Sequence, residues 1–192
     1  METGTPTHPP ASLRGRVLRS LALRYRAWAR GRSRSGAEPV LRAARATMRR
    51  KKYCLLVTAA GDGTARARVL QPFPPGPDLT VWMGTSPRTR KAAELRADPR
   101  ATLVYQDDAR AACVVLAGRV VQVEAVEERR RRFMPGWWAF WPEGPEGPDF
   151  VLLRFEPEAL EVWDATRHIT PEPFGLRSAR LVRRGGAWAE AR

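Results

Sequence analysis

The fold is decided at residues 81–105, VWMGTSPRTRKAAELRADPRATLVY, where a strand, a helix and another strand follow one another closely. The apolar run VWM is typical of a strand, and Ser86 or Thr89 caps a helix that extends through Ala97. Asp98-Pro99 ends this helix, because the residue before a proline is biased away from helical conformation. The run ATLVYQ then predicts the next strand.

Three cations, Arg88, Arg90 and Lys91, crowd the junction between this strand and helix. The N-terminus of a helix carries a partial positive charge, so cations there are unfavourable unless an anion lies among them. The cluster is therefore either a solvated charged turn or a site for a phosphate.

Short strand patterns separated by turn residues continue on both sides of this stretch. AGDGTA reads as a hairpin turn, because Asp62-Gly63 allows positive φ at low cost. The predicted strands are YCLLVTAA, ARARVLQPF, LTVWMG, ATLVYQ, AACVVLAGRVVQVE, DFVLLRFEP, ALEVWD, ARLVRR and AWAEA. We expect these nine patterns to form six to eight strands, joined mostly by tight turns. We therefore predict an antiparallel sheet that closes into a barrel, since closure removes exposed edges.

The positive charge of the chain is concentrated before the strands. The net charge is +14, and residues 1–52 contain fourteen Arg or Lys against only Glu2 and Glu38. The remaining residues hold twenty basic against eighteen acidic side chains, so the predicted barrel is nearly neutral. Nucleic acid is therefore not an expected partner of the barrel.

We divide the chain into a basic N-terminal arm, residues 1–36, and a barrel domain, residues 37–192. Residues 1–12 are rich in Pro and Thr and are predicted to be disordered. An amphipathic helix follows, with apolar side chains at helical spacing, and it docks on the barrel or binds an anionic membrane surface. Its apolar positions are Leu13, Val17, Leu21, Tyr25 and Trp28. Glu38-Pro39 opens a second helix that runs to about Lys52.

Cysteine and histidine content excludes several classes of site. Cys54 and Cys113 lie in apolar runs and are predicted to be buried free thiols. His8 and His168 have no neighbours at metal-ligand spacing, so no metal site is predicted. No apolar run has the length of a membrane span, and the N-terminus has no signal-peptide pattern, so a cytoplasmic location is expected.

In this order, the patterns resemble the pyridoxamine 5′-phosphate oxidase-like flavoproteins, most closely their general stress protein branch. The resemblance covers about residues 47–163. Its motifs are RVLQPF, the stretch 81–105 and FWPEGPEGPDFVLLRFEPEALEVWD. It implies a mainly β fold, a split β-barrel of antiparallel strands that binds FMN at the interface of a homodimer.

The resemblance also implies which residues bind FMN. Arg90 and Lys91 would contact the phosphate, with Arg68 as a third cationic donor. Thr85 and Ser86 would lie near the phosphate or the ribityl chain. The further implied contacts are Val69, Leu70, Cys113, Trp163 and Arg180.

The sequence leaves two interpretations open for several nearby residues. Arg66 shares a strand face with Arg68 and is a fourth ligand or, as we favour, a solvated arginine. Arg88 has no counterpart in the family and is interpreted as a surface residue. The tryptophans of the WWAFW segment, like Trp163, either pack in the protein or contact the flavin ring. Those three are Trp137, Trp138 and Trp141.

The chain departs from the pyridoxamine phosphate oxidases at one position that contacts their flavin and at two that bind their substrate. Cys113 replaces a flavin-contacting glutamine, and Leu176 and Ser178 replace a substrate-binding arginine and histidine. Oxidation of vitamin B6 is therefore not expected.

We interpret the protein as an FMN-dependent oxidoreductase with an undefined substrate. We find no general base, so no catalytic residue is assigned. The alternatives are a non-catalytic flavin-binding stress or redox protein, or the same fold with a deazaflavin or heme.

Overall fold

The computed structural model describes residues 13–191, so the predicted disorder of residues 1–12 lies outside the described part of the chain. The chain divides into two compact units that meet between Ser33 and Arg34, close to the predicted boundary after residue 36. The first unit contains helix α1, Leu13–Arg30, which is the predicted amphipathic helix. Within it the rings of Tyr25 and Trp28 lie 5.9 Å apart.

The second unit is an antiparallel sheet of eight strands with three helices, which confirms the predicted mainly β architecture. The helices are α2 Ala37–Arg50, α3 Arg90–Ala97 and α4 Val126–Arg131. The strands are β1 Cys54–Ala59, β2 Ala65–Leu70, β3 Val81–Thr85, β4 Arg100–Asp107, β5 Ala112–Val123, β6 Val151–Asp164, β7 Ala179–Arg184 and β8 Ala187–Glu190.

The pairing of the strands closes the sheet into a barrel. The strands follow the order β2-β1-β4-β5-β6-β7-β8, and β3 also pairs with β6. A bridge between Pro72 and Met83 connects the chain after β2 to β3. The path β2-β1-β4-β5-β6-β3 therefore returns to its starting strand, and this closure leaves few free edges.

The final long strand differs from the prediction. DFVLLRFEP and ALEVWD were expected to form two strands, but β6 is continuous over fourteen residues. The register with β5 shifts between Ala117 and Gly118, so Glu158 is the extra residue of a β-bulge. The bulge accommodates Pro157, so the strand continues through the proline.

The core lies on one face of this sheet. Leu56, Leu103, Leu116 and Leu160 occupy directly paired positions on four adjacent strands and are fully buried. Helix α2 packs against β4, β5, β6 and β8. It ends at Arg50, two residues before the predicted end, and its buried residues Val40, Leu41, Ala44 and Met48 join the same core.

A second, smaller core is aromatic. Trp137 lies 5.6 Å from Phe150 and 5.4 Å from Trp141, measured between ring centroids, and Leu152 is buried beside them. Gly84 on β3 is required here, because a Cβ at this position would lie 2.6 Å from the Trp137 ring. Trp137 and Trp141 therefore pack within the protein, whereas Trp138 stays 54% exposed.

None of the helices within residues 13–191 combines the length and the apolar character that crossing a membrane requires.

Candidate functional site

Two threonine hydroxyls lie between the end of β3 and the start of α3. Thr89 is the N-cap residue, so of the two predicted caps the structure selects this one. Its hydroxyl donates to the carbonyl oxygen of Ser86 at 2.8 Å and lies 3.5 Å from the buried hydroxyl of Thr85. Because the side chain of Thr89 does not cap the helix, the first turn keeps its positive dipole end without an internal carboxylate or hydroxyl ligand.

Arg68 of β2 reaches α3 and forms a compact polar triangle. Its guanidinium donates to the Glu94 carboxylate and to the Thr58 hydroxyl, while Thr58 itself donates to Glu94 Oε2 at 2.6 Å. A further bond of 2.8 Å joins Arg68 Nη1 to the carbonyl oxygen of Arg66. Arg68 and Glu94 are only 20% and 10% exposed, so this arginine is held in a fixed position.

Lys91 lies within the electrostatic reach of the same triangle. Burial, and then the charge of Arg68, lowers the pKa of Lys91, while Glu94 acts in the opposite direction. The pKa of Glu94 is lowered in turn, first by the hydrogen bond from Thr58 and then by Arg68. An anion beside Lys91 and Arg68 would relieve the repulsion between these two cations.

The other cations at this junction are more exposed. Arg90 is the first residue of α3 and faces solvent. Arg66 lies 3.8 Å from Glu94 and 3.6 Å from Asp62, so it is ion-paired as well as solvated. Arg88, whose side chain is 77% exposed, pairs with Asp149 at 2.8 Å, which places it on the surface.

The donor set at this junction suits a phosphate group. It combines a fixed arginine, a lysine whose pKa is lowered, an exposed arginine, three nearby hydroxyls and the N-terminus of an eight-residue helix. Guanidinium and ammonium groups bind phosphate oxygens through charge-assisted hydrogen bonds. We call Arg68, Arg90, Lys91 and Glu94 the α3 cluster.

The remaining predicted cofactor residues lie elsewhere on the sheet. Leu70 shares the core side of β2 with Arg68 and packs against the main core, whereas Val69 points to the opposite face and is 61% exposed. A row of directly paired residues crosses that opposite face: Val69, Leu55, Val104, Val115, Glu161 and Arg180.

Cys113, Trp163 and Arg180 belong to this outer face. Cys113 pairs with Trp163 across β5 and β6 and is half-buried, which corrects the prediction that both thiols are buried. The Trp163 indole donates to the carbonyl oxygen of Gly175 at 3.0 Å, and Arg180 pairs with Glu161 at 3.0 Å. Within one chain, these residues and the α3 cluster therefore occupy opposite faces of the sheet.

Sequence reasoning missed Glu94 and Thr58. A signal for Glu94 was present, because it follows Arg90 by four residues and Lys91 by three, the spacing of charge pairs on one helix face. That spacing would have paired Glu94 within its own helix. The structure instead pairs it with arginines of β2, a contact that only the sheet register creates. The described residues include no group of three or more His, Cys, Asp or Glu side chains placed to hold a metal ion.

Comparison with known families and structures agrees with this architecture. Residues 42–180 match the family model described as "Pyridoxamine 5′-phosphate oxidase like", and the chain belongs to this family. Comparison with curated protein sequences gives no match.

Solved structures share the fold at low sequence identity. A protein related to general stress protein 26 from Clostridium acetobutylicum is 18% identical with a TM-score of 0.62, over 68% of this chain and 92% of that one. General stress protein 26 from Bacillus anthracis is 14% identical with a TM-score of 0.55, over 64% and 92%. A pyridoxamine 5′-phosphate oxidase-related, FMN-binding protein from Nostoc punctiforme is 17% identical with a TM-score of 0.55, over 79% and 91%.

Proposed function

We propose that the protein binds FMN and acts as an FMN-dependent oxidoreductase. The observation that carries the proposal is the α3 cluster, in which Arg68 is fixed beside Lys91 at a helix N-terminus. Arg68, Arg90 and Lys91 hold the phosphate, and the hydroxyls of Thr85 and Ser86 lie on the chain leading into it. Family membership and the FMN-binding structural relative from Nostoc punctiforme support the same ligand.

In this proposal, bound FMN supplies hydride or electron transfer at its isoalloxazine ring. The protein residues bind and orient the cofactor. Arg68 is held by Glu94 and Thr58 before the ligand arrives, so little side-chain ordering remains for binding. No side chain is assigned to proton transfer, because the carboxylate of this site, Glu94, is already occupied by Thr58 and Arg68.

We further propose a homodimer in which two copies complete each site. Cys113, Trp163 and Arg180 face away from the α3 cluster of their own chain, so these residues of a second copy would contact the cofactor. The exposed apolar side chains of Leu55 and Val69 on the same outer face would then be covered. Light scattering should give the mass of a dimer, and a monomer with FMN fully bound would contradict this arrangement.

The first experiment compares FMN with riboflavin, which lacks the phosphate. FMN should bind more tightly, and replacing both Arg90 and Lys91 by alanine should weaken FMN about hundredfold while changing riboflavin little. Arg96→Ala, in the exposed last turn of the same helix, is the control and should leave both affinities unchanged. Equal affinities of the unmodified protein for FMN and riboflavin would refute phosphate recognition by this cluster.

A non-catalytic flavin-binding protein is the second candidate, and it is favoured by the lack of an assigned proton donor or acceptor at the cluster. Oxidation of a reduced nicotinamide by the FMN-loaded protein would support the oxidoreductase, and bound FMN without turnover of donors would support the second candidate. Mass spectrometry of the ligand released on denaturation separates both from a deazaflavin or heme protein.

A further inference from the structure

A second basic site lies away from the α3 cluster, between α2 and the turn that follows β6. A cavity of about 480 Å³ opens there, within the size range of sites for small molecules. We call it the basic pocket. Its lining residues are Arg34, Pro39, Arg42, Ala43, Ala46, Thr166, Arg167 and His168.

The lining of the basic pocket has one sign of charge. Three arginines and a histidine are among its lining residues, and none of the lining residues is acidic. Another cavity on the barrel, beside the β1–β2 turn, is lined by both signs of charge, with Asp98, Arg100 and Glu158 among its lining residues. Basic residues converging on a concave surface attract anions, because the low-dielectric walls focus their field.

The turn that carries two of these groups is rigidly built. Asp164 is fully buried, and its carboxylate accepts from the Arg167 guanidinium at 2.6 Å and from the Arg167 backbone N–H at 2.8 Å. Thr166 donates to the same carboxylate at 2.9 Å. These bonds hold Arg167 in place before any ligand binds, while its other N–H groups stay available as donors.

A backbone hydrogen bond joins the two sides of the pocket. The Arg34 backbone N–H donates to the His168 carbonyl oxygen at 2.8 Å, which ties the segment before α2 to the turn. His168 has φ of 60°, a conformation that is costly for a residue other than glycine and that the surrounding hydrogen bonds maintain. The pocket wall is therefore preorganised.

Arg42 is the cation most available to a ligand. Its ion pair with Glu38 spans 3.5 Å, and both side chains are about two-thirds exposed. Such exposed pairs contribute little and are easily exchanged for a stronger partner. A phosphate in the pocket would offer Arg42 a doubly charged partner in place of one solvated carboxylate.

We propose that the basic pocket binds the phosphate group of a small molecule, at a site separate from the α3 cluster. Arg34, Arg42 and Arg167 donate to the phosphate oxygens, and the His168 ring lies at the edge of the same cavity. The proposal does not depend on FMN binding at the α3 cluster, because the two sites share no residue.

The test uses the full-length protein and the histidine ring as a reporter. The sequence contains two histidines, so the NMR spectrum has two imidazole Hε1 signals, which the variant His8→Gln assigns. Titration with inorganic phosphate should move the His168 signal along a saturating curve. Acetate and chloride at matched ionic strength should move it less and without saturation, since neither carries the charge of a phosphate dianion.

Two matched variants localise the effect. Arg42→Gln should weaken the phosphate response of His168 about tenfold, the effect of losing one charge-assisted hydrogen bond. Arg49→Gln makes the same charge change on an exposed residue later in α2 and should leave it unchanged. The double variant Arg90→Ala, Lys91→Ala should also retain the response, even if FMN binding is lost.

Three results would overturn the proposal. The first is a His168 signal that moves equally in chloride. The second is an equal loss of phosphate affinity in Arg42→Gln and Arg49→Gln, which would indicate a general charge effect. The third is loss of the response in the Arg90 and Lys91 double variant, which would assign phosphate binding to the α3 cluster.

Discussion

Arg68 and Glu94 determine the charge that a ligand meets at the start of α3. The carboxylate fixes the guanidinium in position, but its negative charge also neutralises part of the positive charge that would attract an anion. Glu94 would therefore have two opposite effects on anion affinity at this cluster. It holds Arg68 in position for a ligand, and it weakens the positive charge that would attract one.

Replacing Glu94 by glutamine separates these two effects. Glutamine retains an acceptor for Thr58 and Arg68 but removes the negative charge, so FMN should bind about tenfold more tightly while riboflavin is unaffected. Fluorescence titration with both flavins measures this, and Glu158→Gln, an exposed position on β6, is the matched control. Weaker FMN binding in Glu94→Gln would mean that the ion pair is needed to position Arg68.

The two cysteines should differ in reactivity. Burial raises the pKa of the Cys54 thiol to about 12, and it also raises the pKa of the half-buried Cys113 thiol. At pH 8 the native protein should react slowly with iodoacetamide at Cys113 and far more slowly at Cys54, since the thiolate is the nucleophile. Mass spectrometry of the labelled peptides reports both sites, with the unfolded protein as the reference.

FMN should protect Cys113 from this labelling if the outer face contacts the cofactor. Riboflavin at saturation should protect it as well, because the expected contact is with the flavin and not with the phosphate. Labelling of Cys113 that is unaffected by either flavin would remove this residue from the proposed site.

At the scale of elements, β6 explains why the barrel tolerates a proline in a central strand. β3 pairs with β6 through Val151–Phe155, and β7 pairs with it from Ala159 onward. Pro157 lies in the gap between these two partners, so on this side its missing N–H removes no ladder hydrogen bond. On the other side, the bulge places Gly118 directly against Pro157.

Gly118→Ala should destabilise the protein strongly. An alanine Cβ would overlap the carbonyl oxygen of Glu156 and lie 2.9 Å from the Pro157 Cα, so backbone would have to move. We expect a loss of about 2 kcal/mol or more in the free energy of unfolding, measured by urea denaturation. Gly61→Ala is the control, because no atom lies within 4 Å of a Cβ there. Equal stability of the two variants would show that β5 and β6 separate more easily at the bulge than their pairing implies.

At the scale of the whole molecule, the boundary between the two compact units bears on any truncation. Residues 34–36 belong to the second unit by their hydrogen bonds: Arg34 N–H to His168, and Gly36 N–H to the Glu190 carboxylate at 2.8 Å. A truncation after Ser33 keeps these bonds, whereas one after residue 36 would remove the residues that make them.

Deleting residues 1–33 should leave FMN affinity unchanged, because every residue of the proposed site lies in the second unit. Any binding to vesicles of anionic lipid should be lost with the deletion, since α1 carries six arginines and no acidic residue. A flavin titration and a vesicle sedimentation assay of both proteins measure these effects. A large loss of FMN affinity on truncation would place the first unit at the cofactor site.

Local sequence signals were sufficient to predict most of the helices and strands. Alternation, turn residues and Asp98-Pro99 predicted the strands and the end of α3, because these signals act within a few residues. The crowding of Arg90 and Lys91 at a helix start raised the possibility of a phosphate site, but local electrostatics left a solvated charged turn equally open. The family resemblance favoured the phosphate. The split of β6 was predicted wrongly, because proline is a local signal whose effect depends on which strands lie beside it.

Contacts between side chains of different elements could not be predicted in this way, because they depend on the three-dimensional fold. Glu94 contacts Arg68 because α3 packs against β1 and the sheet places β2 beside that strand. Alternation of side chains then assigns Arg68 to one face and Val69, Cys113 and Arg180 to the other. The basic pocket likewise joins residues more than a hundred positions apart. Such contacts follow from the register of the strands and the closure of the sheet. These are properties of the whole barrel and cannot be read from any single stretch of the chain.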